Sequence, residues 1–258
     1  MKYVRTSSRV EIVGLRDIPL VKPGDDLASI ICTAMEKQDI ILQDQNILVV
    51  AQTVVSKVEG AIFKLAEIKP SLKAEYIAER TGKEPEVVEL VLREAEEIIR
   101  FQGSHLITQT HHGFICANSA VDVSNVSGGD AATTLPRDPD QSARKLRTRF
   151  KTLTGRNVAV VISDSSGRPF RMGQIGIAVG SAGLKPIIDR RGDKDLFGRV
   201  LSVKKPAVAD ELASAAQLVI GEGAEGVPVA IIRGCNYIAD EWDGAKVLIR
   251  HRRHDLFI

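Results

Sequence analysis

Apolar residues recur along the chain with two spacings, one typical of buried strands and the other of amphipathic helices. Residues 10–13, 47–51, 158–163 and 227–233 are short apolar runs of strand length. Between them, apolar side chains repeat every three or four positions, as on one face of a helix. Strands and helices therefore alternate, which predicts the α/β class with a mixed α+β arrangement.

Capping residues and glycines set the ends of the predicted helices. Asp25 or Asp26 can cap a helix whose inner face carries Leu27, Ile30, Ile31 and Ala34. Further helices are predicted over residues 71–81, 84–101, 140–154 and 208–220. Residues 106–110 and 113–117 resemble the two strands of a hairpin.

A stretch rich in glycine and proline divides the predicted elements into two groups. Residues 128–139 contain two glycines and two prolines and show no periodicity, which favours a linker. We therefore predict that residues 1–258 form a single module with two structural subdomains, joined by a linker near residues 127–139.

Composition and charge exclude several classes of function. Apolar residues make up 44% of the 258 and charged residues 26%, as in a globular enzyme. Aromatic residues are scarce at 4% and the net charge is +2, so neither nucleic acid nor a membrane surface is an expected partner. Three widely spaced cysteines and the lack of an apolar leader or spanning segment predict a cytoplasmic protein with reduced thiols.

The strongest candidate for chemistry follows the apolar run at 158–163. There the run meets Asp164, Ser165, a second serine, a glycine and Arg168. A strand that ends at an acid would deliver a carboxylate to the rim of a sheet, where open α/β folds bind ligands. Oxygen ligands with neighbouring arginines suit a metal ion carrying an anionic substrate. A plain hydrophilic turn after a strand is the alternative.

A second candidate is the glycine-rich stretch at residues 221–226. It matches the string G-x-G-x-x-G of dinucleotide-binding proteins, but it follows a helix and precedes a strand. That order is the reverse of the one that directs a helix N-terminus at a pyrophosphate, so a Rossmann dehydrogenase is not predicted. A glycine helix cap explains Gly221 alone. Closely spaced glycines could also admit a phosphate or a base, with Glu222 reaching a cation.

Other polar residues follow predicted strands. Asp122 and Ser124 would share one side of an extended segment, although an Asx-turn loop is the alternative. Lys57 could meet a phosphate, whereas most single lysines do not. Four arginines could hold an anionic acceptor or lie on the surface: Arg168, Arg171, Arg190 and Arg191. Paired histidines at 111–112 fall in a predicted hairpin turn, where solvent exposure is expected rather than catalysis.

Motifs for covalent catalysis are missing from the sequence. It contains no Gly-x-Ser-x-Gly elbow, no His-Glu-x-x-His helix and no Walker-type phosphate loop. A protein nucleophile is therefore not predicted, and no catalytic residue of that kind is assigned.

Taken in order, several motifs resemble those of the coenzyme F420-0:L-glutamate ligase family. They are Ile-Pro-Leu-Val at 18–21, Thr-Val-Val-Ser-Lys at 53–57, Asn-Ser-Ala-Val-Asp at 118–122, Ser-Asp-Ser-Ser-Gly-Arg at 163–168, Lys-Asp-Leu-Phe-Gly-Arg at 194–199 and Gly-Glu-Gly-Ala-Glu-Gly at 221–226. Each is weak singly, but together they cover residues 10–250. The resemblance implies an unusual two-domain fold and an intertwined homodimer.

The resemblance also implies a chemistry and its substrates. GTP would phosphorylate the lactyl carboxylate of coenzyme F420-0, and the amine of L-glutamate would displace phosphate to form an amide. A second glutamate could follow through its γ-carboxylate. Two divalent cations, Mg²⁺ or Mn²⁺, and a monovalent K⁺ would assist, with no need for a protein nucleophile.

Carried over position by position, the resemblance places two sets of ligands on this chain. The metal ligands fall on Asp122, Asp164, Ser165 and Glu222. The nucleotide contacts fall on Ile18, Pro19, Leu20, Val21, Gln52, Thr53, Lys57, Asn125, Ile220, Gly221, Glu222, Gly223, Ala224, Glu225, Gly226 and Val227. Gln52 departs from the pattern, because the family commonly has a small hydroxyl residue there.

Two other functions remain open on the sequence alone. The same amide-ligase chemistry could act on another carboxylate acceptor, since the acceptor pocket has no readable motif. The other is a GTP-binding module without turnover, which metal-dependent GTP binding without hydrolysis under any acceptor would favour.

Overall fold

A computed structural model of the chain describes residues 9–126 and 130–255. Its helices are Leu27–Lys37 (α1), Gln52–Val58 (α2), Leu72–Thr81 (α3), Pro85–Glu94 (α4), Pro139–Thr154 (α5) and Val208–Ile220 (α6). Its strands are Glu11–Leu15 (β1), Ile47–Ala51 (β2), Ile62–Lys64 (β3), Ala95–Gln102 (β4), His105–Thr110 (β5), Ile115–Ala117 (β6), Ala131–Thr133 (β7), Ala159–Arg168 (β8), Arg171–Ala182 (β9) and Val229–Arg233 (β10). The predicted mixed α/β class is confirmed.

A five-stranded sheet in the order β1-β10-β2-β8-β9 forms the larger part of the fold. β2 and β8 run parallel, and the other neighbours are antiparallel. Alternate residues of β2 face opposite sides: Leu48 joins a core with α1 and α5, and Val49 joins a core with α6. Both faces of the sheet are therefore covered, which explains why its central strands are apolar throughout. We call residues 9–58 and 135–255 the sheet unit.

A smaller unit is inserted between α2 and α5, and we call residues 59–126 and 130–134 the inserted unit. It holds the pair β3-β7, the three-stranded sheet β4-β5-β6 and the helices α3 and α4. These elements enclose a separate apolar cluster that includes Ile77, Val88 and Leu106. β7 lies within the predicted linker at 127–139, of which residues 127–129 lie outside the described part. The predicted division into two subdomains stays a prediction.

The helix ends of the sheet unit follow the capping pattern of the sequence. Asp26 caps α1 by accepting the backbone N–H of Ser29 at 3.2 Å. Asp138 caps α5 one residue ahead of Pro139 in the first turn, so this helix begins slightly before its predicted start. Gly155 ends α5 with a φ of 71°, a left-handed conformation that glycine adopts without steric cost.

The predicted helix over residues 84–101 is wrong in its second half. α4 ends at Glu94, and residues from Ala95 onward form β4, which pairs with β5. The glutamates in this segment favour a helix locally, but Ile98 and Phe101 pack on the core of the inserted unit from the strand. Pairing and burial thus override a weak local preference.

The expectation that a strand ends at Asp164 is also wrong. β8 continues to Arg168 and turns into β9, so Asp164 and Ser165 lie within a long hairpin. Ladder hydrogen bonds to β9 extend the strand past its apolar part. Residues 52–57, expected only to lead away from β2, begin the short helix α2.

β9 is an edge strand, and side chains cover its free backbone groups. The carboxylate of Asp140 accepts the N–H of Ser181 at 2.8 Å, and that of Asp210 accepts the N–H of Ala178 at 2.9 Å. A Cβ at Gly180 would lie 2.4 Å from the carbonyl oxygen of Pro139. The helices α5 and α6 therefore close an edge that could otherwise pair with another chain.

Within residues 9–126 and 130–255, no helix combines the length and apolarity needed to cross a membrane.

Candidate active site

Four of the predicted ligand-binding segments meet at one rim of the five-stranded sheet. The register pairs Leu15 with Val229, Val229 with Val50, and Ala51 with Ser163. The ends of β1 and β2, the middle of β8 and the start of β10 therefore lie side by side. Residues 18–21, 52–57 and 164–165 follow these points along the chain, and residues 220–227 lead into β10.

Asp164 is the central acid of this rim. It is half-buried, and its Oδ1 accepts the backbone N–H of Ser165 at 2.9 Å. Burial raises its pKa to about 7, and the charges of Asp122 and Glu222 push the pKa in the same direction. Three carboxylates from three different segments thus repel one another here, and a bound cation would relieve that repulsion.

Glu222 is held in place by two side chains. The hydroxyl of Ser165 lies 2.8 and 2.7 Å from its two carboxylate oxygens, and it can donate its one proton to either. The amide of Gln217 donates to Glu222 Oε1 at 2.8 Å and to the carbonyl of Gly221 at 2.7 Å. Gln217 was not predicted, although it lies one helical turn before the glycine loop.

Lys57 connects the rim to the inserted unit. Its Nζ donates to the backbone carbonyl of Asn125, and the Asn125 amide donates to the carbonyl of Gly223 at 3.3 Å. Burial lowers the pKa of Lys57, while the charge of Asp122 partly offsets that effect. A lysine, an asparagine and the glycine loop, all predicted nucleotide contacts, are therefore brought together.

Asp122 forms the Asx-turn that the sequence offered as an alternative. Its Oδ1 accepts the backbone N–H and the hydroxyl of Ser124 at 2.8 and 2.6 Å. Its backbone forms an isolated antiparallel bridge with Thr133. The carboxylate is half-buried and acts electrostatically on both Asp164 and Lys57. Asp122 can therefore form the Asx-turn and still lie close enough to Asp164 and Lys57 to affect their pKa values.

The glycine loop begins as a helix cap. Gly221 caps α6 with a φ of 78°, and a Cβ there would meet the Glu225 carboxylate at 2.3 Å. Glu225 accepts the backbone N–H of Gly223 at 2.7 Å, and such backbone hydrogen bonds lower the pKa of Glu225. Residues 222–226 are exposed, so the loop presents its backbone to solvent at the rim.

The segment after β1 has one packed side and one open side. Ile18 and Val21 pack against the core of the sheet unit, whereas Pro19 is exposed and Leu20 is 91% exposed. An exposed Leu20 beside a polar rim suits contact with the flat face of a base.

Gln52 links α2 to the inserted unit through hydrogen bonds of its side chain. It is buried, and its amide donates to the Ser56 hydroxyl at 2.6 Å and to the Thr134 carbonyl at 2.9 Å. These contacts tie α2 to the inserted unit. The neighbouring Thr53 is half-buried. The contact of Gln52 with a nucleotide stays a prediction.

The contacts described for the four candidate arginines are local ones. Arg168 donates to the carbonyl of Met172 at 3.2 Å, and Arg171 is exposed at the start of β9. Arg190 pairs with Asp193 at 3.0 Å. Arg191 pairs with Asp189 inside the same loop. The role of these arginines in holding an acceptor stays a prediction.

Cys116 is a neighbour of the site that the sequence did not reveal. Burial raises the pKa of its thiol to about 12, and the charge of Asp164 adds to that shift. Nearby in the chain, Asn118 has a buried Oδ1 without a hydrogen-bond partner among the described residues. Spacing alone could not have found either residue, because their proximity depends on β6 packing beside β8.

The donors at the rim fit a hard divalent cation bound together with phosphate. Among the described residues, no three His, Cys, Asp or Glu side chains lie close enough to form a metal site by themselves. The available donors are carboxylates and a hydroxyl: Asp122, Asp164, Ser165 and Glu222. Mg²⁺ is commonly held by one or two carboxylates, with substrate phosphates and water as the remaining ligands. The separated acids match that arrangement.

Comparisons with known proteins agree on one family. A family model described as F420-0:Gamma-glutamyl ligase matches residues 15–234. A protein of Methanothermobacter thermautotrophicus named Coenzyme F420:L-glutamate ligase is 51% identical over 249 residues, covering 96% of this chain and 98% of the relative. Proteins of the same name from Methanopyrus kandleri and Methanocaldococcus jannaschii are 46% and 44% identical, covering 94% and 98% of this chain and 96% and 99% of the relatives.

Proposed function

Because the chain belongs to the F420-0:gamma-glutamyl ligase family, we propose that it joins L-glutamate to coenzyme F420-0 with GTP as co-substrate. The bond formed is an amide at the lactyl carboxylate, and the same chemistry could add a second glutamate by γ-linkage. The observation that carries this proposal is the meeting of Asp164, Ser165 and Glu222 with the Lys57–Asn125–Gly223 contacts at one rim.

The rim residues divide into a nucleotide side and an acid side. Lys57 supplies a positive charge for a phosphate, and the exposed backbone of residues 222–226 admits a close approach of the nucleotide. The Ile18–Pro19–Leu20–Val21 segment lines the neighbouring edge for the base. GTP would thus lie along the ends of β1, β2 and β10, with its phosphates directed at Asp164.

The acid side would hold two divalent cations, Mg²⁺ or Mn²⁺, with K⁺ as a further candidate. Asp122 and Asp164 would hold one cation, and Ser165 and Glu222 the other. When bound, such ions neutralise charge on the transferring phosphoryl group. The hydrogen bonds of the Ser165 hydroxyl to Glu222 support the grouping of these two residues.

The reaction then needs no covalent step on the protein. A lactyl carboxylate oxygen attacks the γ-phosphorus of GTP, and the bond to the β–γ bridging oxygen breaks to release GDP. The neutral amine of glutamate attacks the acyl carbon of the resulting acyl phosphate. The carbon–oxygen bond to phosphate breaks, phosphate leaves with the electron pair, and the amine nitrogen loses a proton. Positioning and charge neutralisation are what the rim residues contribute.

A reconstitution with defined components tests the function. The protein is incubated with coenzyme F420-0, L-glutamate, GTP and Mn²⁺, and the products are followed by mass spectrometry and by GDP release. We expect a mass gain of one or two glutamyl units, with one GDP formed per unit. GDP release that is independent of both glutamate and acceptor would contradict the ligase.

The same assay separates the two alternatives. Glutamate-dependent GDP release with a different carboxylate, but not with coenzyme F420-0, would support the ligase chemistry on another acceptor. Metal-dependent GTP binding with no turnover under any acceptor would support a binding module.

We also propose that the active form is a cytoplasmic homodimer. Large apolar side chains extend from the β8–β9 hairpin and from the loop before α6: Phe170 is 87%, Met172 98%, Leu196 99% and Phe197 96% exposed. A second copy of the chain could cover them. Light scattering should give twice the mass of one chain, and Phe197→Asp should lower it toward that of a monomer. The three free cysteines suit a reducing compartment.

A further inference from the structure

Three successive residues ahead of Asp122 adopt a left-handed backbone. Asn118, Ser119 and Ala120 have φ values of 54°, 51° and 57°. Residues other than glycine disfavour the left-handed region, and several successive residues in that conformation are rare. A conformation of this kind persists only where the surrounding structure imposes it, and it recurs near functional sites.

Two buried hydroxyl groups impose this turn. Thr108 and Ser119 are 0% and 1% exposed, and their hydroxyl oxygens lie 2.7 Å apart. The backbone N–H of Ser119 donates to Thr108 Oγ1 at 2.9 Å, and the Ser119 hydroxyl donates to the carbonyl of Val91 at 3.0 Å. The turn is thereby fixed to β5 and to α4, both in the core of the inserted unit.

The chain passes from this turn directly to the candidate metal ligand. The N–H of Val121 donates to the carbonyl of Asn118 at 2.8 Å, and the Val121 side chain is buried in the core of the inserted unit. The next residue, Asp122, exchanges backbone hydrogen bonds with Thr133 at 3.0 and 2.8 Å. The turn and the bridge therefore fix the backbone from which the Asp122 carboxylate extends, and Ser124 orients the carboxylate itself.

We propose that Thr108 and Ser119 are positioning residues for the cation site. They hold the left-handed turn that aims Asp122 at Asp164, and so they link the core of the inserted unit to cation affinity. The two residues touch no substrate themselves. This inference rests on the proposed function, in which Asp122 is a cation ligand.

A matched pair of substitutions at Thr108 tests the role of its hydroxyl. Thr108→Val keeps the shape of the side chain and removes the hydroxyl, and Thr108→Ser keeps the hydroxyl. Binding of Mn²⁺ to the full chain is measured by electron paramagnetic resonance with a non-hydrolysable GTP analogue present. Groups that orient a metal ligand typically change affinity about 10- to 100-fold. We expect Thr108→Val to raise the Kd for Mn²⁺ about tenfold, with Thr108→Ser close to wild type.

A buried hydroxyl elsewhere in the same core provides the control. Thr81 donates to the carbonyl of Ile77 at 2.7 Å at the end of α3, away from the turn. Thr81→Val should lower the unfolding temperature but leave the Kd for Mn²⁺ unchanged. An equal change of Kd in Thr81→Val and Thr108→Val would overturn the inference, because general loosening of the core would then explain both.

Two further variants keep the outcome decisive. Ser119→Ala should also raise the Kd for Mn²⁺, and it replaces Thr108→Val if that chain does not fold. Asp122→Asn tests the premise: wild-type Mn²⁺ binding in this variant would remove Asp122 from the proposed cation site. Weakened binding in Asp122→Asn, with wild-type binding in Thr108→Val and Ser119→Ala, would overturn the positioning role alone.

Discussion

The sheet unit and the inserted unit differ in the balance of apolar and polar side chains in their cores. The sheet unit encloses apolar clusters of 19 and 15 buried residues, whereas the inserted unit has one cluster of 11. Yet among the described residues each unit buries six polar side chains. Those of the inserted unit are Thr81, Thr108, Thr110, Ser119, Thr133 and Thr134. The inserted unit therefore buries more hydroxyl groups for each apolar core residue than the sheet unit does.

This difference matches how each unit presents its acid to the rim. Asp164 comes from β8, where the ladder to β2 ends one residue earlier at Ser163 and the ladder to β9 continues through Asp164 to Arg168. Asp122 comes from a short segment held by a strained turn and a single bridge to Thr133. The backbone of Asp164 is therefore placed by a strand of the large sheet, whereas the backbone of Asp122 is placed by hydrogen bonds that are specific to its short segment.

The largest effect is expected at Asp164, the half-buried acid of the sheet unit. Asp164→Asn should reduce ligase activity by about 100-fold or more, since metal-assisted charge stabilisation supplies several kcal/mol. The same change should stabilise the metal-free fold at pH 8, because it removes a charge that is buried beside two other acids. Activity assays and thermal unfolding with a chelator present measure the two effects.

The pH dependence gives the sign of this stability effect. The folded pKa of Asp164 is about 7, above the unfolded value of 3.8, so the folded state holds its proton more tightly. Its contribution to stability is full below about pH 4 and is lost as the pH rises to about 7. Asp164→Asn should lack this loss. An unchanged pH profile in the variant would show that Asp164 does not carry the buried charge.

Core truncations should separate the two units next. Phe150→Ala in the sheet unit should lower the free energy of unfolding by about 3–5 kcal/mol, and Leu106→Ala in the inserted unit by about 2–5 kcal/mol. Both side chains are fully buried. Because the core of the inserted unit is smaller, Leu106→Ala should open that unit first. Limited proteolysis should then cut within residues 59–134 before it cuts the sheet unit; early cuts in both would mean that the units open together.

The sequence was sufficient where local pattern and packing agree. The apolar run of β2 and the capped helix α1 required only spacing and Asp26. The helix predicted over residues 95–101 was wrong, because pairing with β5 and burial of Ile98 outweigh the helix propensity of the glutamates there. The strand end predicted at Asp164 was wrong for a similar reason, since β9 supplies hydrogen bonds to the polar half of β8 that no local pattern indicates.

The site was only partly accessible from the sequence. The residues alone indicated Lys57 and the glycine loop, and the resemblance to a family added Asn125; the fold brings all three together. The roles of Gln217 and Ser119 were missed because neither belongs to a motif for its role. Gln217 acts through its hydrogen bond to Glu222, and Ser119 through its contact with Thr108 on another element. Spacing identifies residues on one element, whereas these roles arise from the packing between elements.

A glycine substitution should measure the strain in the turn of the inserted unit. Ala120 has a φ of 57°, so Ala120→Gly should raise the free energy of unfolding by about 1 kcal/mol. The same change within a right-handed helix of the sheet unit, Ala215→Gly in α6, should lower it by about 1 kcal/mol. Chemical denaturation compares the two, and a loss of stability in Ala120→Gly would show that the turn is not strained.

The smallest effect is expected at the exposed ion pair between α1 and α5. Hydrogen bonds from Arg149 and Ser29 lower the pKa of Asp26 to about 2, against 3.8 in the unfolded chain. Its stabilisation is therefore full above about pH 4 and is lost as the pH falls toward 2. Because the pair is more than a third exposed, solvent screening limits its ion-pair part to about 0.2–1 kcal/mol. Asp26→Asn keeps a capping oxygen, so it should flatten only the acid limb of the unfolding curve; an equally steep limb would assign acid sensitivity to other carboxylates.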